Sequence, residues 1–173
     1  MQPDQASFLL RFQMSNLQRE HATTRKIIET VPLDKSEYRP DPVAMSALDL
    51  CWHIAATENR FLRAVIEAEF KFGNSARPDS VRDTADIARW YTETFEKNFN
   101  ELSQLPGEQL AKVVDFRGIM QLPAVAFLTL CMHHTIHHRG QLSVYLRPMG
   151  AKVPAIYGES YDAAQARLAA IAS

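Results

Sequence analysis

Residues 133–141 read His-His-Thr-Ile-His-His-Arg-Gly-Gln and contain four of the six histidines of the chain. On a helix, residues four positions apart lie on the same face, where two imidazoles can share a metal ion. The stretch offers two such pairs, His133 with His137 and His134 with His138. The first question is therefore which pair faces the interior of the protein.

Phase along the helix predicted for this stretch separates the two pairs. His134 and His138 share a largely apolar face, whereas His133 and His137 lie on its flank. The apolar face also carries Phe127, Leu130, Cys131, Leu142 and Tyr145. We therefore predict that His134 and His138 point inward, and we assign His133 and His137 structural or surface roles.

Four long helices are predicted from the spacing of apolar residues and from proline and glycine near their ends. They are expected at about Gln5 to Val31, from an N-cap at Ser46 to about Phe72, from a cap at Asp79 or Ser80 to about Leu105, and from Pro123 to about Arg147. Residues 75–80 are predicted to be a loop, residues 108–122 are assigned no regular element, and residues 161–172 could form a short final helix. The pattern predicts an all-α protein, a single four-helix bundle domain over residues 1–173 with a short C-terminal extension.

Composition and charge exclude several classes of partner. The formal net charge is −1, so the chain offers no basic surface for nucleic acid. The apolar run from Pro123 to Leu130 is too short to cross a bilayer, and the N-terminus has no basic region followed by an apolar one. We therefore expect a cytoplasmic protein that binds neither nucleic acid nor membranes.

A third histidine is needed to make a metal site with the inward pair, because ligands in a bundle interior come from facing helices. His53 lies at the edge of the apolar stripe of the second helix, and His21 is the other inward candidate. Three imidazoles with a position left open are typical of a catalytic metal site. The alternative is that these histidines are core residues whose ring nitrogens are hydrogen-bonded.

Glu58 lies near the centre of the apolar stripe of the second helix, where a carboxylate needs a partner. It could orient a ligand histidine or act as a general base. Alternatively, it pairs with an arginine such as Arg139 or with a histidine outside the metal site. Arg139 itself projects away from the ligand face and is interpreted either as a residue that supports a ligand histidine or as a helix-packing residue, without a catalytic role. Gln141, three residues after His138, is a candidate to line a substrate pocket.

Two cysteines, Cys51 and Cys131, are too few for a disulfide framework in a chain of this size. As thiolates they could close a metal site, but small buried thiols are common packing residues. We interpret both as packing residues.

Several segments resemble the DinB family, within the DinB/YfiT-like superfamily of metal-dependent proteins. They are residues 52–62, the motif His134-x-x-x-His138-Arg139-Gly140-Gln141-Leu142, residues 145–150, and Pro154-x-x-Tyr157-Gly158. The resemblance covers nearly the whole chain, in order. It implies an up-down-down-up four-helix bundle, often a homodimer, with a divalent metal held by His53, His134 and His138.

The resemblance also implies a range of functions, since bacillithiol S-transferases and the mycothiol-dependent maleylpyruvate isomerase are similar to this superfamily. One hypothesis is a metal-dependent enzyme, either a thiol S-transferase or a hydrolase, with zinc or nickel as the expected ion. The other is a metal-binding stress-response bundle without catalysis. A small-molecule thiol or another small substrate is the expected partner, and the segment from Leu110 to Leu122 could cover its pocket.

Overall fold

The computed structural model describes residues 1–73 and 76–172 and consists mainly of helices. Its elements are α1 (Pro3–Glu29), α2 (Ala47–Glu67), α3 (Thr84–Ser103), α4 (Gly107–Ala111), β1 (Val113–Phe116), β2 (Met120–Pro123), α5 (Phe127–Leu146) and α6 (Tyr161–Ala172). Short 3-10 turns occupy Leu33–Lys35 and Ala124–Ala126. Asn74 and Ser75, at the predicted start of a loop, lie outside the described residues.

The four long helices form a bundle in which α1 and α2 each pack against α3 and α5, and α1 also packs against the short helix α4. This pattern places α1 and α2 at opposite corners, and it confirms the predicted all-α four-helix bundle. In every described part of the chain, the helices also lack the combination of length and apolar character that crossing a bilayer requires.

The core contains two clusters of buried apolar residues, and the order of the clusters along each helix gives the helix directions. One cluster, which we call the lower cluster, contains Leu17, Phe61, Phe95 and Cys131. The other, which we call the upper cluster, contains Ile27, Ile54, Tyr91 and Leu142. Both α1 and α5 pass from the lower to the upper cluster, whereas α2 and α3 pass from upper to lower. The bundle is therefore up-down-down-up, as the resemblance implies.

Side-chain caps start two of the bundle helices. Ser46 caps α2 as predicted, since its hydroxyl accepts a hydrogen bond from the backbone N–H of Asp49. The predicted cap of α3 at Asp79 or Ser80 is wrong, because Asp83 is the cap and accepts from the N–H of Asp86 at 2.8 Å. The chain before α3 therefore stays irregular for longer than the sequence indicated.

The segment that received no regular element contains the short helix α4 and a β-hairpin. Strand β1 pairs antiparallel with β2, with Phe116 opposite Met120. Arg117 and Gly118 both have positive φ, and the carboxylate of Asp115 accepts a hydrogen bond from the N–H of Gly118 at 2.9 Å. This local bonding stabilises the tight turn, and the hairpin lies against the lower cluster.

Arg139 joins α5 to α1 and to the C-terminal segment, which confirms its interpretation as a helix-packing residue. It is 1% exposed, and its guanidinium lies 2.8 Å from the carboxylate of Glu20 and 3.2 Å from the hydroxyl of Thr24. It also donates to the hydroxyl of Tyr157, which in turn donates to Glu20. The buried charge is thus paired, as burial of a guanidinium requires.

Candidate metal centre

Three histidines from two neighbouring helices meet on one side of the bundle. Nε2 of His53 on α2 lies 3.0 Å from Nε2 of His134 and 3.2 Å from Nε2 of His138, both on α5. One turn of helix separates the two α5 residues, as the sequence phase predicted. Among the described residues, this is the only group of three or more potential ligands whose donor atoms lie within 4.8 Å of one another. We call it the histidine triad.

The spacing of the triad suits a single metal ion. Zinc–nitrogen bonds of about 2.0–2.1 Å in a tetrahedral arrangement place two ligand nitrogens about 3.3–3.4 Å apart. The observed separations of 3.0 and 3.2 Å need to increase by only a few tenths of an ångström at most to match. All three donors are imidazoles, which suit zinc, nickel, copper and iron alike.

The surroundings of His53 and His134 favour the neutral imidazole, which is the form that binds metal. Burial lowers the pKa of His134 to about 4, with further lowering from the neighbouring His138, His53 and His137. Burial likewise lowers the pKa of His53, helped by His138 and by the guanidinium of Arg60. Both rings are therefore neutral at pH 7. Each can offer a nitrogen lone pair to a metal ion without first losing a proton.

Gln141 fixes the orientation of one ligand. Its side-chain oxygen lies 3.0 Å from Nδ1 of His138, so that nitrogen carries the proton and Nε2 is left as the donor to a metal. The amide nitrogen of Gln141 donates to the hydroxyl of Tyr145 at 3.2 Å, which holds the amide in this orientation. The sequence predicts that Gln141 lies near the ligand face. The structure shows that it orients His138 through this hydrogen bond.

Two cavities border the triad, one at His53 and one at His134. The first, of about 470 Å³, is lined by His53 and Arg60 together with Met45, Asp49, Trp52, Ala56 and Thr57, and is called the Arg60 cavity. The second, of about 380 Å³, has Phe61, Phe116, Met120 and Leu130 as its walls and is called the apolar cavity. His134 lies at the edge of the apolar cavity, with the exposed His133 and His137 beside it. The triad is thus reachable from two chemically different sides.

The family model for the DinB family matches residues 9–169 of the chain. The chain belongs to the DinB family. Family membership is consistent with the four-helix bundle described above.

Two Bacillus subtilis (strain 168) proteins are similar to this DinB chain in sequence. The uncharacterized protein YjoA is 32% identical over 129 residues, covering 73% of this chain and 82% of YjoA. The uncharacterized protein YrdA is 30% identical over 118 residues, covering 65% of this chain and 66% of YrdA.

Two crystal structures share the fold of this DinB chain. The DinB-like protein YjoA matches with a TM-score of 0.70 and 30% identity, covering 83% of this chain and 96% of that one. A DinB-like protein from Bacillus cereus ATCC 10987 matches with a TM-score of 0.70 and 24% identity, covering 83% and 94%.

Glu58 occupies the centre of the DinB bundle and not the triad. It is 2% exposed, and its carboxylate lies 2.8 Å from Nδ1 of His21 on α1. It accepts hydrogen bonds from the hydroxyls of Tyr91 on α3, at 2.5 Å, and Thr135 on α5, at 3.2 Å. These contacts favour the alternative in which Glu58 pairs with a histidine outside the metal site. Arg139, the other suggested partner, is paired with Glu20.

Both cysteines of this DinB chain are buried in the core and free of disulfides. Among the described residues, neither belongs to the triad group. Burial raises the pKa of the Cys51 thiol, and burial together with the nearby Glu58 raises that of Cys131, so both stay protonated. Protonated thiols do not ligate metals, which supports their interpretation as packing residues.

Replacing Gln141 by alanine is expected to weaken zinc binding by about 10- to 100-fold, the usual effect of losing a partner that orients a ligand histidine. Gln141→Glu keeps an oxygen acceptor for His138 and is expected to retain most of the affinity. Titration with zinc against a competing chelator measures both. Equal affinity in Gln141→Ala and the parent protein would contradict the role of this contact.

Proposed function

We propose that this DinB protein is a divalent-metal enzyme in which His53, His134 and His138 hold zinc or nickel and a low-molecular-weight thiol is transferred to an electrophile. One observation carries the proposal: three imidazole nitrogens converge on one point, and no fourth ligand joins them among the described residues. A set of three ligands leaves a position for a small molecule, as in catalytic metal sites.

When bound, the metal would lower the pKa of a thiol or water molecule beside it. The residues of the chain do the rest. Arg60, which makes no ion pair with any described residue, places a positive charge beside His53 in the Arg60 cavity. This charge attracts the anionic sulfur of a thiolate and any carboxylates on the same molecule. Gln141 keeps His138 in the tautomer that leaves Nε2 free.

Thiol transfer balances without an oxidant or a reductant. The S–H proton passes to solvent, the electron pair on sulfur forms a bond to the electrophilic carbon, and the leaving group departs with the electrons of the bond that breaks. With 1-chloro-2,4-dinitrobenzene the leaving group is chloride. The preference for a thiol over water rests on the similarity to thiol-dependent members of the superfamily and on the charge of Arg60.

The test mixes zinc- or nickel-loaded protein with 1-chloro-2,4-dinitrobenzene and, in turn, cysteine, glutathione and other low-molecular-weight thiols. We expect product to form faster than with His53→Ala protein at equal concentration. Loading with cobalt should give a thiolate-to-metal charge-transfer band when the active thiol is added.

Three outcomes would count against the proposal. Metal-loaded protein that cleaves ester substrates but ignores every thiol would indicate the hydrolase instead. Metal binding with neither reaction would indicate a bundle that binds metal without catalysis. A parent protein that binds no divalent metal would remove the basis of all three functions. The homodimer implied by the family resemblance and the cytoplasmic location expected from the sequence stay predictions.

A further inference from the structure

The apolar cavity has a rigid aromatic wall. Phe61 of α2 and Phe116 of β1 stack with ring centroids 6.1 Å apart and an angle of 10° between the rings. Phe70 packs edge-on against both rings from behind, at 5.4 and 4.9 Å. Met120 stands beside Phe116 because the two residues are paired across the hairpin. Packing of this kind holds the cavity open in one shape.

The size and chemistry of the cavity define the class of ligand. A volume of about 380 Å³ falls within the range of small-molecule pockets, about 300–1,000 Å³. It is more than twice the ~150 Å³ cavity that is known to hold benzene. Phenylalanine, methionine and leucine side chains line the cavity together with the rings of His133, His134 and His137, and the surface they present is almost wholly apolar. A buried charge on the ligand would therefore be left unpaired there. An uncharged ring system or branched hydrocarbon fits these walls.

The position of the cavity connects it to the triad. His134 belongs to both, since its Nε2 faces His53 while its ring borders the cavity, 6.2 Å between centroids from Phe61. The Arg60 cavity reaches the triad from the side of His53. A polar molecule beside His53 and an apolar molecule beside His134 would therefore both lie next to the triad.

We infer that the apolar cavity binds the uncharged apolar group of the electrophile, with Met120 and Leu130 as residues that determine specificity. This inference rests on the proposed function for the role of the ligand, and it assigns the thiol to the Arg60 cavity. Binding of the apolar group itself needs only the walls, so it can be measured without catalysis.

The experiment measures binding of the fluorescent apolar probe N-phenyl-1-naphthylamine to zinc-loaded protein. We expect Met120→Gln and Leu130→Gln each to weaken binding by about tenfold, since each places an amide against the probe. Matched controls are Ile119→Gln, next to Met120 on the hairpin, and Val144→Gln on α5. Their parent side chains are 70% and 71% exposed and do not line the cavity, so these variants should bind the probe like the parent.

Two further measurements separate this inference from the proposed function. His53→Ala protein should still bind the probe, because His53 does not line the apolar cavity. In cobalt-loaded parent protein, saturating probe should shift the visible absorption of the metal, as expected for a ligand beside His134. Probe binding with no thiol transfer would overturn the proposed function alone.

The inference itself is overturned if the parent protein does not bind the probe. It is also overturned if Met120→Gln and Leu130→Gln both bind as tightly as their controls, which would place the probe elsewhere. Circular dichroism and the urea midpoint of each variant establish that it is folded before binding is compared. Two positions on different elements keep the test decisive if one variant does not fold.

Discussion

His134→Ala protein is expected to lose its metal. Removing one of three ligands should weaken zinc binding by more than about 100-fold, since losing even an outer partner of a ligand costs 10- to 100-fold. His53→Ala should have the same effect, because Nε2 of His53 lies within 3.2 Å of both other donors. Elemental analysis of protein purified without an affinity tag, followed by zinc titration, measures the loss.

The matched control for these variants is His133→Ala. His133 is adjacent to His134 on α5, is exposed, and is not part of the triad. Its replacement removes an imidazole from the same helix and should leave the metal content unchanged. Unchanged metal in His53→Ala and His134→Ala would end the three-histidine model, and equal losses in all three variants would indicate indirect damage.

The second large effect is expected for Glu58→Ala, which should lower the free energy of unfolding by about 3–5 kcal/mol. The carboxylate is the shared partner of His21, Tyr91 and Thr135, so every long helix contributes to its surroundings. Burial and the Glu58 charge raise the pKa of Tyr91, which therefore stays a hydrogen-bond donor. Alanine would leave these buried groups unpaired. Urea unfolding measures the change.

Controls distinguish loss of this network from a general effect of removing a carboxylate. Glu29→Ala removes an exposed partner of Arg25 and should change stability by no more than about 1 kcal/mol. Tyr91→Phe should lower the free energy of unfolding of the parent by more than it lowers that of Glu58→Ala protein, because the hydroxyl of Tyr91 is hydrogen-bonded to Glu58. Strictly additive effects would show that the contact contributes little.

Metal content of Glu58→Gln protein tests the earlier hypothesis for Glu58. Its carboxylate bonds to none of the three triad histidines. Zinc affinity close to that of the parent is therefore expected, and a large loss would favour the interpretation that Glu58 orients a ligand.

Helical phase depends only on sequence spacing, so it could predict that His134 and His138 share one face of α5 and that Glu58 points into the bundle. The two histidines are only partly buried, however, whereas Thr135 and Arg139 lie on the buried face of α5. Helical phase alone did not identify His53 as the third ligand, since it placed His53 only at the edge of the apolar stripe of α2. The family resemblance was needed to add His53 to the other two histidines. The contacts of Glu58 with His21 and Tyr91 join different helices. Such contacts depend on how the helices are arranged in the bundle, which spacing within one helix does not give.

Helix α1 shows why a pattern of apolar residues can mislead. Phe8 and Phe12 have helical spacing, yet they are 64% and 65% exposed and stack on each other. The buried face of α1 carries polar residues beside its apolar ones, among them Glu20, His21 and Thr24. These residues serve the networks around Arg139 and Glu58. The sequence predicted the end of α2 at about Phe72, but the helix ends at Glu67. The residue that ends it in the left-handed conformation is Ala68 and not a glycine, so the sequence carried no clear signal there.

The hairpin and the triad lie in different parts of the chain. The triad lies on α2 and α5, whereas Phe116 and Met120 of the apolar cavity flank the turn at residues 117–119. This turn is held by its own bond between Asp115 and Gly118 and provides no ligand of the triad. Exchanging the hairpin for one of another length or composition would therefore change the walls of the apolar cavity while retaining the histidine triad.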